Sequence, residues 1–127
     1  MADVTAQTVY NKPGRATCWA WRDVTSADIC LPLQIPVQSD ICVQVKPSRV
    51  AGGFGGATVH LQGTLEKDPQ AGDYDTLESA GTGAALSFTA ADTKQVLQHA
   101  LALVATLENA TGATKVDILI FAVGGAS

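Results

Sequence analysis

His60 and His99 are the two histidines of the chain, and each would serve as one arm of a catalytic pair only if folding brings it to a Ser or Cys. Neither stands in an HExxH motif, no GxSxG elbow is present, and no carboxylate sits at a telling spacing, so no enzymatic activity is expected. The densest charge cluster is acidic: Glu66, Asp68, Asp73, Asp75 and Glu78. A calcium loop needs ligands at alternate positions, a central glycine and a closing Glu in order, and "DYD" at 73–75 lacks that order. A solvated acidic loop is the expectation. Cys18, Cys30 and Cys42 are odd in number and fall twelve apart, which matches no CxxC metal or redox spacing. They are expected to be small buried thiols, and no metal or cofactor is expected. Asn109-Ala110-Thr111 fits a glycosylation sequon, which has no consequence without a secretory route.

The stretch "VAGGFGGATVHLQG" at 50–63 raises a phosphate-binding loop as a question. Such a loop works because a helix starts directly after the glycines and offers its free N–H groups. Here "ATVHLQG" follows with the alternation of a strand, and the spacing is neither GxxxxGK nor GxGxxG. The glycines are therefore expected to form a flexible connection into a strand, with Phe54 packed on the body or presented to a partner. Trp19 and Trp21 share one face of "CWAWRD" and, with Tyr74, are the ligand candidates if the chain is a recognition module.

These residues sit in a chain of 127 residues, long enough for one domain with its own core. Charged residues make up 16%, low for a soluble fold, so part of the apolar surface is expected to meet a partner. The net charge is −4, and the halves differ: residues 1–64 carry five basic and four acidic groups, residues 65–127 three and eight. With the eight basic residues scattered, nucleic acid is not an expected partner. The most apolar run, Ile118 to Val123, is far short of the roughly 20 residues of a bilayer span, so no membrane is expected either. "MADVTAQTVYNK" carries no secretory pattern, and synthesis in a cytoplasm is the expectation.

Period-two alternation recurs: Ile41, Val43 and Val45; Val59 and Leu61; Val116, Ile118 and Ile120. Turn signals stand between, at 11–15, 38–40, 68–73, 79–83 and 109–114. Short strands with frequent turns predict an all-β antiparallel sandwich or barrel. Residues 89–110 resist this, because Leu97, Ala100, Leu101, Val104 and Leu107 fall at helical spacing behind Thr89 as an N-cap. Taken alone the segment predicts a helix, and an α+β fold is the alternative, with an α+β enzyme built around that helix as a third functional reading.

"TVHLQGTLEKDPQAGDYDTLES" followed by "AALSFTAADTKQVLQHALALVATLENATGATKVDILI" resembles a group of small tailed-bacteriophage virion proteins, the head cement or decoration proteins. Their pattern is a strand, an acidic hairpin, a short "ATL" strand, an "LSFT" strand and two closing strands joined by a Gly-Thr turn. The resemblance covers about residues 57–123 and rests on strand and turn patterns. It implies a jelly-roll β-sandwich without enzymatic activity, a place on the outer surface of the virion capsid, the major capsid protein as partner, and self-association as a homodimer or other homo-oligomer. It also implies that Leu101–Leu107 is a strand pairing across "NATGAT" with Val116–Val123. On that basis an extended arm, Ala2 to Asn11, and the Phe54 loop are expected to reach neighbouring subunits. The expected interface residues are Val4, Val9, Tyr10, Phe54, Leu119, Phe121 and Val123. A tail-associated or carbohydrate-recognising β-sandwich using Trp19, Trp21 and Tyr74 is the alternative function.

Overall fold

The computed structural model describes residues 2–12, 16–35, 40–50, 52–66, 69–98 and 100–123; Asp68, His99 and parts of the expected turns at 11–15 and 38–40 lie outside the described residues. Among the described residues the regular secondary structure is almost entirely strand. In order these are β1 (Ala2–Val4), β2 (Gln7–Lys12), β3 (Ala16–Thr25), β4 (Asp28–Cys30), β5 (Leu33–Gln34) and β6 (Asp40–Pro47). There follow β7 (Thr58–Thr64), β8 (Asp75–Thr76), β9 (Ser87–Phe88), β10 (Asp92–Gln95), β11 (Ala102–Glu108) and β12 (Lys115–Val123). A single 3-10 turn at Ala71–Asp73 interrupts them, within the acidic loop.

One large sheet runs β10-β6-β12-β3-β2 and a second β5-β11-β7-β8, with β9 also on β7, while β1 and β4 form a small two-stranded sheet of their own. The chain passes from β3 in the first sheet to β5 in the second, back to β6, across to β7 and β8, back to β10, across to β11 and home to β12. With β3-β12-β6-β10 set against β5-β11-β7-β8, this is the double Greek-key wiring of a jelly roll. Between the sheets lie Trp21, Val43, Val45, Ile118 and Ile120 from the first and Val59, Leu61, Phe88, Leu103 and Ala105 from the second, all buried in one cluster. Alternation explains the set: in β6 and β12 every second residue faces this layer.

The helix expected over 89–110 does not form. Asp92–Gln95 is a strand paired with β6, and Ala102–Glu108 is a strand laid along β7. Leu97, part of the expected helical stripe, is half exposed, whereas Leu103 and Ala105 are buried by the period-two pattern of β11. Ladder bonds to β7 and burial against the opposite sheet outweigh the helical preference of Ala, Leu and Gln. The expected pairing of Leu101–Leu107 with Val116–Val123 is also corrected. β11 pairs with β5 and β7, while β12 pairs with β3 and β6. "NATGAT" is therefore a crossing from one sheet to the other, and Asn109 takes the left-handed turn at φ 59°. A hairpin would have put both apolar strands side by side, whereas the crossing sets them against each other across the core.

The arm at the start is not extended away from the body. β1 pairs parallel with β4, Leu31 N–H donates to the Val4 carbonyl at 2.8 Å, and β2 forms the edge of the first sheet against β3.

Two β-bulges set which residues face out. In β2 the register shifts between Thr8 and Tyr10, so the extra residue, Val9, joins Tyr10 at the surface. In β3 two residues, Arg22 and Asp23, stand opposite Asp117 of β12, and Asp23 adopts φ 54°. Asp117 is fully buried, yet both its oxygens are engaged: Arg22 Nη1 donates to Oδ2 and Asp23 N–H to Oδ1, each at 2.9 Å. The Ser48 hydroxyl donates to Asp23 in turn.

The glycine stretch is a latch. Thr114 Oγ1 donates to the Phe54 carbonyl at 2.8 Å, Thr111 Oγ1 to the Gly55 carbonyl at 2.9 Å, and Lys115 N–H to the Gly53 carbonyl at 2.8 Å. These bonds fasten loop 52–57 to the crossing into β12. Gly55 lies at φ +59°, and a Cβ there would come 2.8 Å from the Thr114 nitrogen. The next glycine, Gly56, is also left-handed but faces open space.

Two stability predictions follow from these contacts. Gly55→Ala is expected to cost about 2 kcal/mol or more in urea denaturation, against about 1 kcal/mol for Gly56→Ala, which bears backbone strain without the clash. Asp117→Ala, which leaves the Arg22 guanidinium unpaired, is expected to cost about 3 kcal/mol; a loss under about 1 kcal/mol would show that the bulge holds without the carboxylate.

Candidate functional site

In a sandwich one face of each sheet is left over, and on the first sheet that face is unusually apolar. β12 sends Ile118 and Ile120 inward and Leu119 and Phe121 outward. The flanking strands follow the same alternation, so registry places Cys18 of β3 and Cys42 of β6 on either side of Phe121, with Tyr10 of β2 beyond Cys18. A second row carries Ala20, Leu119, Gln44 and Thr93. Together with Val9, and apart from the fully buried Ala20, these two rows line a groove of about 360 Å³ with no charged residue in its lining. The Tyr10 and Phe121 rings lie 6.4 Å apart at 52°, a tilted aromatic pair. Val9, Tyr10 and, at the end of β12, Val123 are 40%, 42% and 43% exposed.

Of the expected interface residues, the fold thus brings Val9, Tyr10, Leu119 and Phe121 into one groove and sets Val123 on the same face of β12. Val4 and Phe54 are elsewhere. Both are half-buried against the core, and the Phe54 loop is fastened to the body, so neither reaches outward. The ligand candidates are also corrected. Trp21 is fully buried, with its Nε1–H donated to the Leu31 carbonyl at 2.9 Å, and Trp19 packs partly against the same core. Trp19 and Trp21 do share a face, as expected, but it is the inner one. Tyr74 is half-buried, and its hydroxyl finds no partner among the described residues. Burial, with the nearby Asp73 charge, pushes that phenol up from its ordinary value.

The three thiols occupy different settings. Cys30 is buried in the core, and desolvation, with Asp28 adding to it, pushes it up to about 12. Cys18 lines the groove and is raised by burial, an effect that Arg22 and Lys46 partly offset. Cys42 is only partly buried. The expectation of small buried thiols is met at Cys18 and Cys30 and only partly at Cys42.

Two polar sites complete the surface. The acidic loop borders a cleft of about 570 Å³ in which Glu66, Asp73 and Asp75 stand with Thr64, Thr76 and Gln98 over Leu77 and Ala100. Asp73 is committed to its own turn, where its Oδ2 accepts from Gln70 N–H at 2.8 Å. No group of metal-ligating side chains converges among the described residues. On the outer face of the second sheet, His60 Nδ1 lies 2.8 Å from Ser87 Oγ and its Nε2 3.1 Å from Glu108 Oε1. An Nε2–H donated to Glu108 leaves Nδ1 free to accept the serine proton. Acyl transfer further requires donors aimed at an oxyanion beside Oγ. Ser87 lies in β9, beside a pocket of about 130 Å³. The row ties β7, β9 and β11 together across their ladder.

Two elements of the site leave no local signal in the sequence. The bulge that turns Val9 outward beside Tyr10 has no glycine to announce it, and the Ser87–His60–Glu108 row depends on pairings of distant strands. Comparison of the chain with protein-family models, with curated proteins and with solved structures finds no match.

An aromatic disulfide reagent near neutral pH is expected to label Cys42 quickly in the folded protein, with Cys18 and Cys30 reacting only on unfolding. Fast labelling of Cys30 would contradict its place in the core.

Proposed function

We propose that this chain is a structural protein of a virus particle that binds the outer surface of an icosahedral head and cements adjacent major capsid subunits. The observation that carries the reading is the jelly-roll wiring combined with a sheet face whose centre is apolar and uncharged. Jelly rolls recur in capsid and lectin domains, and exposed apolar patches of this kind mark protein contacts. The work of such a protein is thermodynamic. Packaged DNA pushes outward, and a protein that binds only the mature lattice stabilises that state by mass action. A clamp that grips two capsid subunits makes its second contact intramolecular and gains avidity without new chemistry. The acidic cleft of Glu66, Asp73 and Asp75 suits a basic patch on the capsid. No cofactor enters this mechanism. Synthesis in the host cytoplasm and residence on the virion exterior belong to the same proposal.

Recognition of a carbohydrate is the second reading. It no longer has the tryptophan pair as a platform, and it rests on the polar cleft with Gln98 and the exposed Leu65. Immunogold labelling of purified particles with antibody to this chain distinguishes the readings. Label over the heads is the expected result; label confined to tails favours receptor recognition, and unlabelled particles overturn both virion readings.

A further inference from the structure

We propose that Ser87, His60 and Glu108 form a nucleophilic site that hydrolyses small carboxylic esters, an activity separate from any role in a virus particle. A histidine becomes one arm of a catalytic pair when folding brings it to a serine, and the pairing of β7 with β9 does so. His60 and Ser87 stand directly opposite each other, with Nδ1 2.8 Å from Oγ. The other ring nitrogen is 3.1 Å from Glu108 Oε1, contributed by β11 on the other side of β7. A nucleophile, a base within hydrogen-bond reach and a third group that orients the base are the parts of covalent catalysis, recognised by geometry and not by motif. With Nε2–H donated to the carboxylate, Nδ1 accepts the serine proton, and Glu108 steadies the imidazolium that forms.

Donors for the oxyanion come from the edge strand and its neighbour. Leu61 N–H donates to the Leu86 carbonyl at 3.2 Å, so the alternation of the ladder turns the N–H and carbonyl of Ser87 away from β7. Lys94 Nζ stands on that side, donating to the Ser87 carbonyl at 3.3 Å and lying 4.8 Å from the centre of the Phe88 ring. The Ser87 N–H and the Lys94 ammonium are thus the two donors offered to a substrate carbonyl beside Oγ. Phe88, Ala90, Ala91 and Lys94 line the adjoining pocket of about 130 Å³, which has room for an acetyl-sized acyl group. Ser87 Oγ bonds to the acyl carbon as its proton passes to His60 Nδ1. The bond from that carbon to the leaving alcohol breaks, and the departing oxygen takes the proton from His60. Water then gives a proton to Nδ1 while its oxygen bonds to the acyl carbon, and Ser87 leaves with that proton. One ester and one water become one carboxylic acid and one alcohol.

Incubation of the full chain with p-nitrophenyl acetate tests the proposal. Release of p-nitrophenolate is followed by absorbance, and the acetylated residue is located by peptide mass mapping after an acid quench. Sustained turnover with acetyl on Ser87 is the expected result. Ser87→Ala and His60→Gln should each lower the rate by about a hundredfold, as removal of a nucleophile or its positioned base does. Glu108 is a positioning residue: Glu108→Ala should lower the rate about tenfold, and Glu108→Gln, whose amide oxygen still accepts from Nε2–H, should recover most of it. Fluorescence of the buried Trp21 verifies that each variant is folded. The proposal is overturned by acetyl on Cys42 or a lysine without Ser87, by release that stops after one equivalent or never exceeds the buffer rate, or by a rate indifferent to Ser87→Ala. Each of these outcomes is independent of where the immunogold label falls.

Discussion

The contact on which the rest of the structure depends is a carboxylate placed opposite a defect. β12 is the central strand of its sheet, and Asp117 interrupts its apolar run at the point where β3 carries an extra residue. Trp19 and Trp21 face inward, and so does Val24, an odd step that an unbroken strand cannot make. The bulge absorbs that step, and Asp117 holds it by accepting from Arg22 and from the Asp23 N–H. Without it, every residue of β3 beyond Arg22 would trade the core for the surface. A buried charge is tolerated there because both oxygens are satisfied and a guanidinium lies alongside. The same strand pairs on its other edge with β6, so one carboxylate fixes the register of three strands.

The outer face follows from that register. With Ile118 and Ile120 committed to the core, Leu119 and Phe121 have no choice but to point outward, and the neighbouring Cys18, Ala20 and Cys42 are too small to cover them. The second bulge, in β2, then adds Val9 beside Tyr10 and walls the groove. A fold made rigid for its interior thus leaves an apolar strip on its exterior, and the low charge content of the whole chain is concentrated in its effect on that strip.

How much of this was legible in the sequence depended on what alternation encodes. Ile41, Val43 and Val45 against Cys42, Gln44 and Lys46 announces both a strand and its inner face, because the two sets differ in polarity. Around Trp19 and Trp21 the alternate residues are Cys18 and Ala20, equally apolar, so the shared face was readable and its direction was not. β11 was hidden for a related reason: with alanines on both faces and Leu and Gln nearby, its period-two pattern was weaker than an accidental helical one. The glycine stretch was correctly expected to lead into a strand. Its partner, the crossing at 109–115, was out of reach, since hydrogen bonds from Thr111 and Thr114 to loop carbonyls leave no trace in local pattern.

The position of β12 has a consequence for how the molecule comes into being. Among the described residues it is the last strand, and it lies between two that are made much earlier, β3 and β6. While the polypeptide is being synthesised, those two strands therefore have no neighbour to hold them at their eventual spacing, and the sheet waits with a gap at its middle. Its most apolar strand arrives to close that gap, so closure is a late, long-range and slow event. Until then both open edges are templates for the wrong partner, another nascent copy included. For this chain, speed of completion and freedom from aggregation are the same problem.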